Sequence, residues 1–241
     1  MRTLATTARV LSQIRHDPRT IGLLLIVPSL LIGLMAWLFD NTDVFQNVGP
    51  AVLGLFPFII MFLVTSITTL RERRSGTLER LLTMPISKLD FVLGYALAFG
   101  LLAIAQALIA CAFAIVVCGL EIEGSVWLLL AVAVTDGLLG TTLGLFASAF
   151  ARTEFQVVQF MPALVFPQVI LGGVFIARDQ MPDVLYAISD WLPLSHAIDA
   201  LNAVARDTED AAYVGSKLLI IGAFALGAVT LGALTLRRRT P

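Results

Sequence analysis

Residues 91–120, FVLGYALAFGLLAIAQALIACAFAIVVCGL, run for 30 positions without a charged side chain between Asp90 and Glu121. A helix crossing a bilayer needs about 20 mostly apolar residues, so this stretch alone places the chain in a membrane. Uncharged stretches of 20 residues after Arg19, 27 after Asp43, 23 after Glu154 and 19 after Lys217 are also long enough, and the 28 residues between Glu123 and Arg152 are broken only by Asp136. Six spans are therefore predicted, at 20–39, 50–70, 91–119, 125–150, 155–177 and 213–236. Composition agrees: with 58% hydrophobic and 14% charged residues, a soluble domain of 241 residues has too little interior for its apolar surface.

Sixteen basic residues against 17 acidic ones give no sign of a nucleic-acid partner, but their placement is informative. With a cytoplasmic N-terminus, the segments 1–19, 71–90, 151–154 and 237–241 hold 13 of the 16 basic residues, as the positive-inside pattern requires. Only Arg178, Arg206 and Lys217 fall on the other side, among acids that run from Asp40 to Asp210. Both termini are thus expected in the cytoplasm. Trp37, Trp127 and Trp191 sit at or beyond the outer helix ends, where amphipathic rings favour the headgroup level.

The first apolar run is longer than a signal core and has no small-residue cleavage pattern before Asp40, so it reads as a retained helix. Ahead of it, residues 1–18 carry Leu4, Ala8, Leu11 and Ile14 at helical spacing, with Arg2, Arg9 and Arg15 on other faces. That pattern predicts an interfacial amphipathic helix on the inner leaflet, ended by Pro18. The alternative is a tail whose arginines only set topology. Cys111 and Cys118 share a helix face roughly 10 Å apart, beyond disulfide reach, and read as apolar filler.

Residues 71–90, RERRSGTLERLLTMPISKLD, form the longest polar stretch on the cytoplasmic side. Leu78, Leu81 and Leu82 fall on one helical stripe, with Glu79 and Arg80 on another. Gly76 supplies a flexible start, and Pro85 forces Met84 out of helical geometry. A short amphipathic helix is expected, whose apolar stripe calls for lipid headgroups or a cytosolic protein groove. An ordinary solvated positive-inside loop is the blander alternative.

In the fourth span Asp136, Gly140 and Gly144 recur at four-residue steps, with Ala147 and Ser148 one turn on. Small residues at that spacing let two helices approach closely, which points Asp136 into a helix interface or cavity and not into lipid. It stands either as a functional acid on a route or as a partner in an interhelical hydrogen bond. The fifth span holds Gln156, Gln159, Gln168, Pro162, Pro167 and Gly172-Gly173. That composition predicts a broken helix whose amides face protein or water along a permeation route, or else plain kinks and packing. Residues 178–212 form the one large outer segment, with two short amphipathic helices expected on either side of Leu192-Pro193. They are too short and acidic to span. His196 stands alone there, which favours a structural hydrogen bond over a metal site.

No G-x-x-x-x-G-K-[ST] phosphate loop and no G-x-G-x-x-G helix opening occur, so the chain is not expected to bind ATP itself. His16 and His196 fall on opposite sides of the membrane, and no nucleophile-His-acid set can be assembled. A non-catalytic membrane protein is the reading.

The segment ERRSGTLERLLTMPISKLDFVLGYAL, residues 72–97, resembles permeases of type-2 ATP-binding-cassette transporters, a family of antibiotic, polysaccharide and lipo-oligosaccharide exporters. The matching positions are Glu72, Gly76, Thr77, Leu78, Glu79, Leu81, Leu82 and Pro85. A second family pattern follows at Gly172, Gly173, Val174 and Phe175, then Met181-Pro182, then Leu192-Pro193-Leu194-Ser195-His196 with Asp199 and Ala200 beyond. The chain departs from it at Ala177-Arg178 and Asn202. The resemblance implies that 1–241 is a single permease domain in a bacterial plasma membrane, with 71–90 as a cytosolic coupling segment docked on a separate ATPase subunit. It implies that ATP and Mg are bound by that subunit, that a second permease copy or a paralogue completes the path, and that lipid surrounds it. The outer segment 178–212 becomes a gate of half-helices, and Asp136, Gln159, Gln168, Gly172, Gly173, Phe175, Pro193 and His196 become candidates for route or gate. Few fixed charges and many Phe favour export of a hydrophobic or amphipathic cargo, such as an antibiotic or lipid-like molecule. A proton-coupled secondary transporter using Asp136 is the alternative.

Overall fold

The structure, a computed structural model, describes residues 2–39, 43–74 and 88–235. The helices are α1 (Arg2–Arg15), α2 (Pro18–Leu38), α3 (Asp43–Arg74), α4 (Lys88–Val116), α5 (Val126–Phe150), α6 (Glu154–Leu164), α7 (Phe166–Leu171), α8 (Asp183–Ser189), α9 (Pro193–Ala205) and α10 (Ala211–Thr235), with a short 3-10 turn at Arg178–Gln180. No strand occurs among the described residues. Six helical stretches are long and apolar enough to cross a membrane, in α2, α3, α4, α5, α6 with α7, and α10. This is the all-α, six-span architecture expected. Successive spans alternate in direction, so α1, the end of α3 and the start of α6 share one face, here the near face. The 117–125 loop, α8 and α9 lie on the far face.

Local chemistry explains the boundaries. Pro18 opens α2 at a position where a helix needs no N–H, and Asp17 caps it by accepting from the Thr20 amide. The Thr20 hydroxyl, which also donates to Asp17, and then that amide bond hold the Asp17 carboxyl below its usual range. α3 begins at Asp43, well ahead of the expected start near Pro50. The extra residues are packed and not looped: Phe45 is fully buried beside Leu53 and Leu120, and the Gln46 amide bonds both the Gly119 carbonyl and the Glu121 amide. With 32 residues, α3 is about 48 Å long at 1.5 Å per residue. A hydrocarbon core is about 30 Å thick, so the Arg71–Arg74 end stands clear of it.

The fifth span is broken as its composition predicts. The helix stops at Leu164, Val165 intervenes, and α7 resumes at Phe166, because Pro167 has no N–H to offer the carbonyl four residues back. α1 packs differently from the expectation. Thr6, Thr7, Val10 and Ile14 are its buried residues, while Leu4 and Ala8 are exposed. Thr6 lies against Gly94, where a side chain on α4 would collide with it, and the Thr7 hydroxyl bonds the Gly94 carbonyl at 3.1 Å. Close approach to α4 thus selects the threonine face and leaves Leu4 and Ala8 pointing away.

α3 and α5 are the most buried spans and form the axis of the bundle. Gly140 and Gly144 lie directly on the Phe58 and Phe62 carbonyls of α3. The stripe of small residues in the fourth span is therefore the seam of the molecule. Cys111 and Cys118 are buried in an apolar cluster with Phe45, Leu53 and Leu129.

Candidate functional site

At the near end of α3, three successive residues reach three other helices. Arg71 makes a two-pronged pair with Glu154 at the start of α6, at 2.8 and 3.0 Å. Glu72 pairs with Arg9 of α1, whose guanidinium also donates to the Tyr95 hydroxyl of α4 at 3.0 Å. Arg73 donates to the Ser148 carbonyl of α5. Consecutive helical residues point about 100° apart, which is why 71, 72 and 73 fan into different neighbours. Glu72 is the only expected coupling residue within the described part of the chain. Gly76, Thr77, Leu78, Glu79, Leu81, Leu82 and Pro85 lie outside it.

Halfway along the α3–α5 seam sits Asp136, 0% exposed. Neither carboxyl oxygen has a hydrogen-bond partner among the described residues, so the interhelical bond that was one reading of this residue finds no donor there. Its Oδ2 lies 3.5 Å from where a side chain on Gly54 of α3 would begin, and Leu201 of α9 crowds the same spot. Three elements, α3, α5 and α9, therefore close over one acid. Burying a polar group without a partner costs about 1–3 kcal/mol. Asp136→Leu is accordingly expected to raise stability by about 1 kcal/mol, and thermal melts of purified wild type and variant check it. A lower melting temperature in the variant would mean that the acid has a partner in the membrane.

The far face holds a charged cluster. Arg178, on the 3-10 turn, has a side chain only 5% exposed and pairs with Asp190 after α8 and Asp199 on α9. Its Nε donates to the Ser189 hydroxyl at 2.8 Å, and its plane lies 4.9 Å over the Tyr186 ring. Burial opposes its charge, but Asp199 and Asp190 outweigh that and hold the guanidinium protonated more firmly than usual. Asp199 Oδ2 also accepts from Lys217 of α10 at 3.0 Å, and Lys217 lies 3.4 Å from His196 Nδ1. His196 Nε2 meets the Asp190 carbonyl at 2.9 Å. Desolvation, with Lys217 and Arg178 nearby, lowers the His196 pKa despite the opposing pull of the Asp190 carbonyl and Asp199.

The other gate candidates fall around this cluster. Gly173 adopts φ of +89°, a left-handed turn that favours glycine, and lets the chain leave α7 toward Arg178. Pro193 opens α9 and is buried, whereas Phe175 is exposed. Gln168 is buried: its amide donates to the Leu164 carbonyl at 2.8 Å and accepts from the Leu194 amide at 3.3 Å, strutting α7 against α9. Gln159 points outward from α6. Between α5 and α10 a cleft of about 390 Å³ opens sideways, lined by Leu143, Phe146, Phe224 and Leu231 among other apolar residues.

The sequence is similar to those of known proteins. A family model described as ABC-2 type transporter matches residues 1–205. The chain belongs to the ABC-2 type transporter family. The inner membrane transport permease YhhJ of Escherichia coli is 26% identical over 165 residues, covering 66% of this chain and 44% of that protein. The probable multidrug ABC transporter permease YbhR of the same organism is 28% identical over 163 residues, covering 68% and 44%. ABC transporter G family member 20 of Dictyostelium discoideum is 26% identical over 164 residues, covering 68% and 22%. The ABC-2 chain described here thus spans less than half the length of these curated relatives. As a family member it is a membrane component of an ABC transporter, and its six spans agree with that.

Proposed function

We propose that the chain is the membrane-spanning subunit of an ATP-driven exporter, coupled through residues 71–90 to a separate ATPase subunit that binds ATP and Mg. The observation that carries this reading is the three-way grip of Arg71, Glu72 and Arg73 on α6, α1 and α5. The segment 75–87 joins α3 to α4, and Arg9 links both of those helices to α1. A push delivered there by a nucleotide-driven partner is therefore shared among five helices instead of bending one. The basic segments support a cytoplasmic location for both termini, which would put the far face outside, with two permease chains flanking one path. Gln159, outward on a helix surrounded by lipid-facing apolar residues, is then covered by the second chain or by the path. The apolar lateral cleft and the likeness to YbhR, a probable multidrug ABC transporter permease, support a hydrophobic or amphipathic cargo such as a drug.

The test is co-purification in mild detergent with a candidate ATPase subunit, comparing wild type with Glu79→Arg while following ATP hydrolysis. The expected result is a wild-type complex that is lost on charge reversal, with the variant still inserted in the membrane. An undiminished complex in the variant would remove the coupling assignment. One observation favours a second reading, a proton-coupled transporter: Asp136 is a buried acid in a spanning helix with no hydrogen-bond partner among the described residues. Transport that follows a proton gradient with no ATPase present would decide for it.

A further inference from the structure

His196 is held in one tautomer by its neighbours. Lys217 can only donate, so the Nδ1 that faces it at 3.4 Å must accept, and the ring proton sits on Nε2, where it donates to the Asp190 carbonyl at 2.9 Å. The neutral ring thus bridges the segment after α8 to α10. One turn along α9, on the same face, Asp199 bridges Arg178 to Lys217. Together these contacts fasten the far-face hairpin, from the 3-10 turn through α9, to the last span.

A second proton on His196 has nowhere to go. Placed on Nδ1, it would face the Lys217 ammonium, already 5.1 Å over the Tyr213 ring and donating to Asp199. The charged groups around the imidazole are Lys217 on α10, Arg178 on the 3-10 turn, Asp199 on α9 and Asp190 after α8. Each acid is committed to a cation: Asp190 to Arg178, and Asp199 to both Arg178 and Lys217. Asp199 attracts an imidazolium only from a distance and is already paired with two cations, so separating His196 from Lys217 is what relieves the second proton.

We propose that His196 is the proton-binding element of a latch, closed at neutral pH, that releases the far-face hairpin from α10 when the solution at that face turns acidic. The direction follows from linkage. A released histidine titrates near 6.5, while the latched ring resists protonation, so the released state binds more protons at pH below 6.5. Each step downward in pH therefore favours release, until the latched ring is itself protonated. One proton over the window from pH 7.5 to 5.5 shifts the released-to-latched ratio by up to about tenfold. The latch depends neither on the identity of the cargo nor on the ATPase, and it can be read on this chain alone.

The experiment places nitroxide labels at Asp183→Cys on α8 and Ala211→Cys at the start of α10, both exposed. Cys111→Ala and Cys118→Ala remove the native thiols, and the full chain is reconstituted in nanodiscs. Pulsed electron–electron distances are measured at pH 7.5 and 5.5. Wild-type His196 should show a longer-distance population that grows several-fold in acid. His196→Gln, whose amide can accept from Lys217 and donate to Asp190 without titrating, should show the same distances at both pH values. Lys217→Gln, which removes the repelling cation, provides a second variant in which the acid response is expected to shrink. A wild-type distribution unchanged by pH, or an equal change in His196→Gln, overturns the proposal.

Discussion

Purified Arg178→Ala protein is expected to melt roughly 6–12 °C below wild type. Each of the three guanidinium nitrogens of Arg178 donates a hydrogen bond, to Ser189, Asp190 and Asp199, and the group stacks on Tyr186. Removing one partner of a buried ion pair costs about 3–5 kcal/mol, because the other charge stays behind. Two features hold the cost near the lower end. The Asp190 side chain is 47% exposed and can turn to water, and Asp199 keeps Lys217. At about 2–4 °C per kcal/mol for a chain of this size, 3 kcal/mol gives the stated range. Arg178→Lys should fall between the two, since one ammonium cannot span three acceptors set in a fork. A melt followed by tryptophan fluorescence in detergent measures it. A shift under 2 °C for Arg178→Ala would mean that the cluster contributes nothing to holding the far face together.

That cluster also marks where the sequence stopped being readable. The spans were legible because a bilayer imposes one length and one polarity on every crossing helix, and the break in the fifth span was legible because Pro167 leaves few options. The Gly140 and Gly144 seam followed from spacing alone. What spacing could not carry was the pairing of side chains distant in sequence. Arg178 and Lys217 were counted as exceptions to the charge segregation, and that count was the available signal: each lies at an otherwise acidic face because it has acids to neutralise. Asp199 was noticed only as part of a motif, and His196 as a residue suited to a structural hydrogen bond, both without their partners. At the near face, Arg9, Arg71 and Arg73 were taken as topology markers, yet each grips a neighbouring helix. α1 went astray for a related reason. A hydrophobic stripe reports what a helix could bury, and contact with Gly94 decided that it buries Thr6 and Thr7.

The two charged regions differ in what they can transmit. The near-face grip is partly solvent-exposed, with the Arg71 side chain at 61% and Glu154 at 45%, so its pairs are individually weak and serve to fix register. The far-face cluster is more enclosed and holds a titratable member. Motion at the near end would therefore be passed on as rigid-body tilting of α3 and α5, whereas the proposed latch would give the far face two arrangements, fastened or released.

Rigid-body transmission requires that α3 and α5 stay in contact, and the glycines of the seam make the sharpest test. A methyl group at Gly140 would stand 2.5 Å from the Phe58 carbonyl oxygen, and one at Gly144 would stand 2.6 Å from that of Phe62. Both obstacles are backbone, which cannot rotate aside as a side chain can, so the helices must separate. Separation along this line loses the packing of the buried Phe58, Phe62 and Leu139 and opens water access to Asp136. Overpacking typically costs about 1–3 kcal/mol per site, and two sites on one seam act in the same direction. The double variant Gly140→Ala, Gly144→Ala is therefore expected to yield less than a tenth of the wild-type monodisperse protein on size exclusion. Gly222→Ala in α10 is the control, because nothing lies within 4 Å of the added methyl, and alanine favours a helix over glycine by about 1 kcal/mol. It should match or exceed the wild-type yield. If the double variant purified as well as this control, α3 and α5 would not be the fixed axis, and a force applied at residues 71–90 would need another path across the membrane.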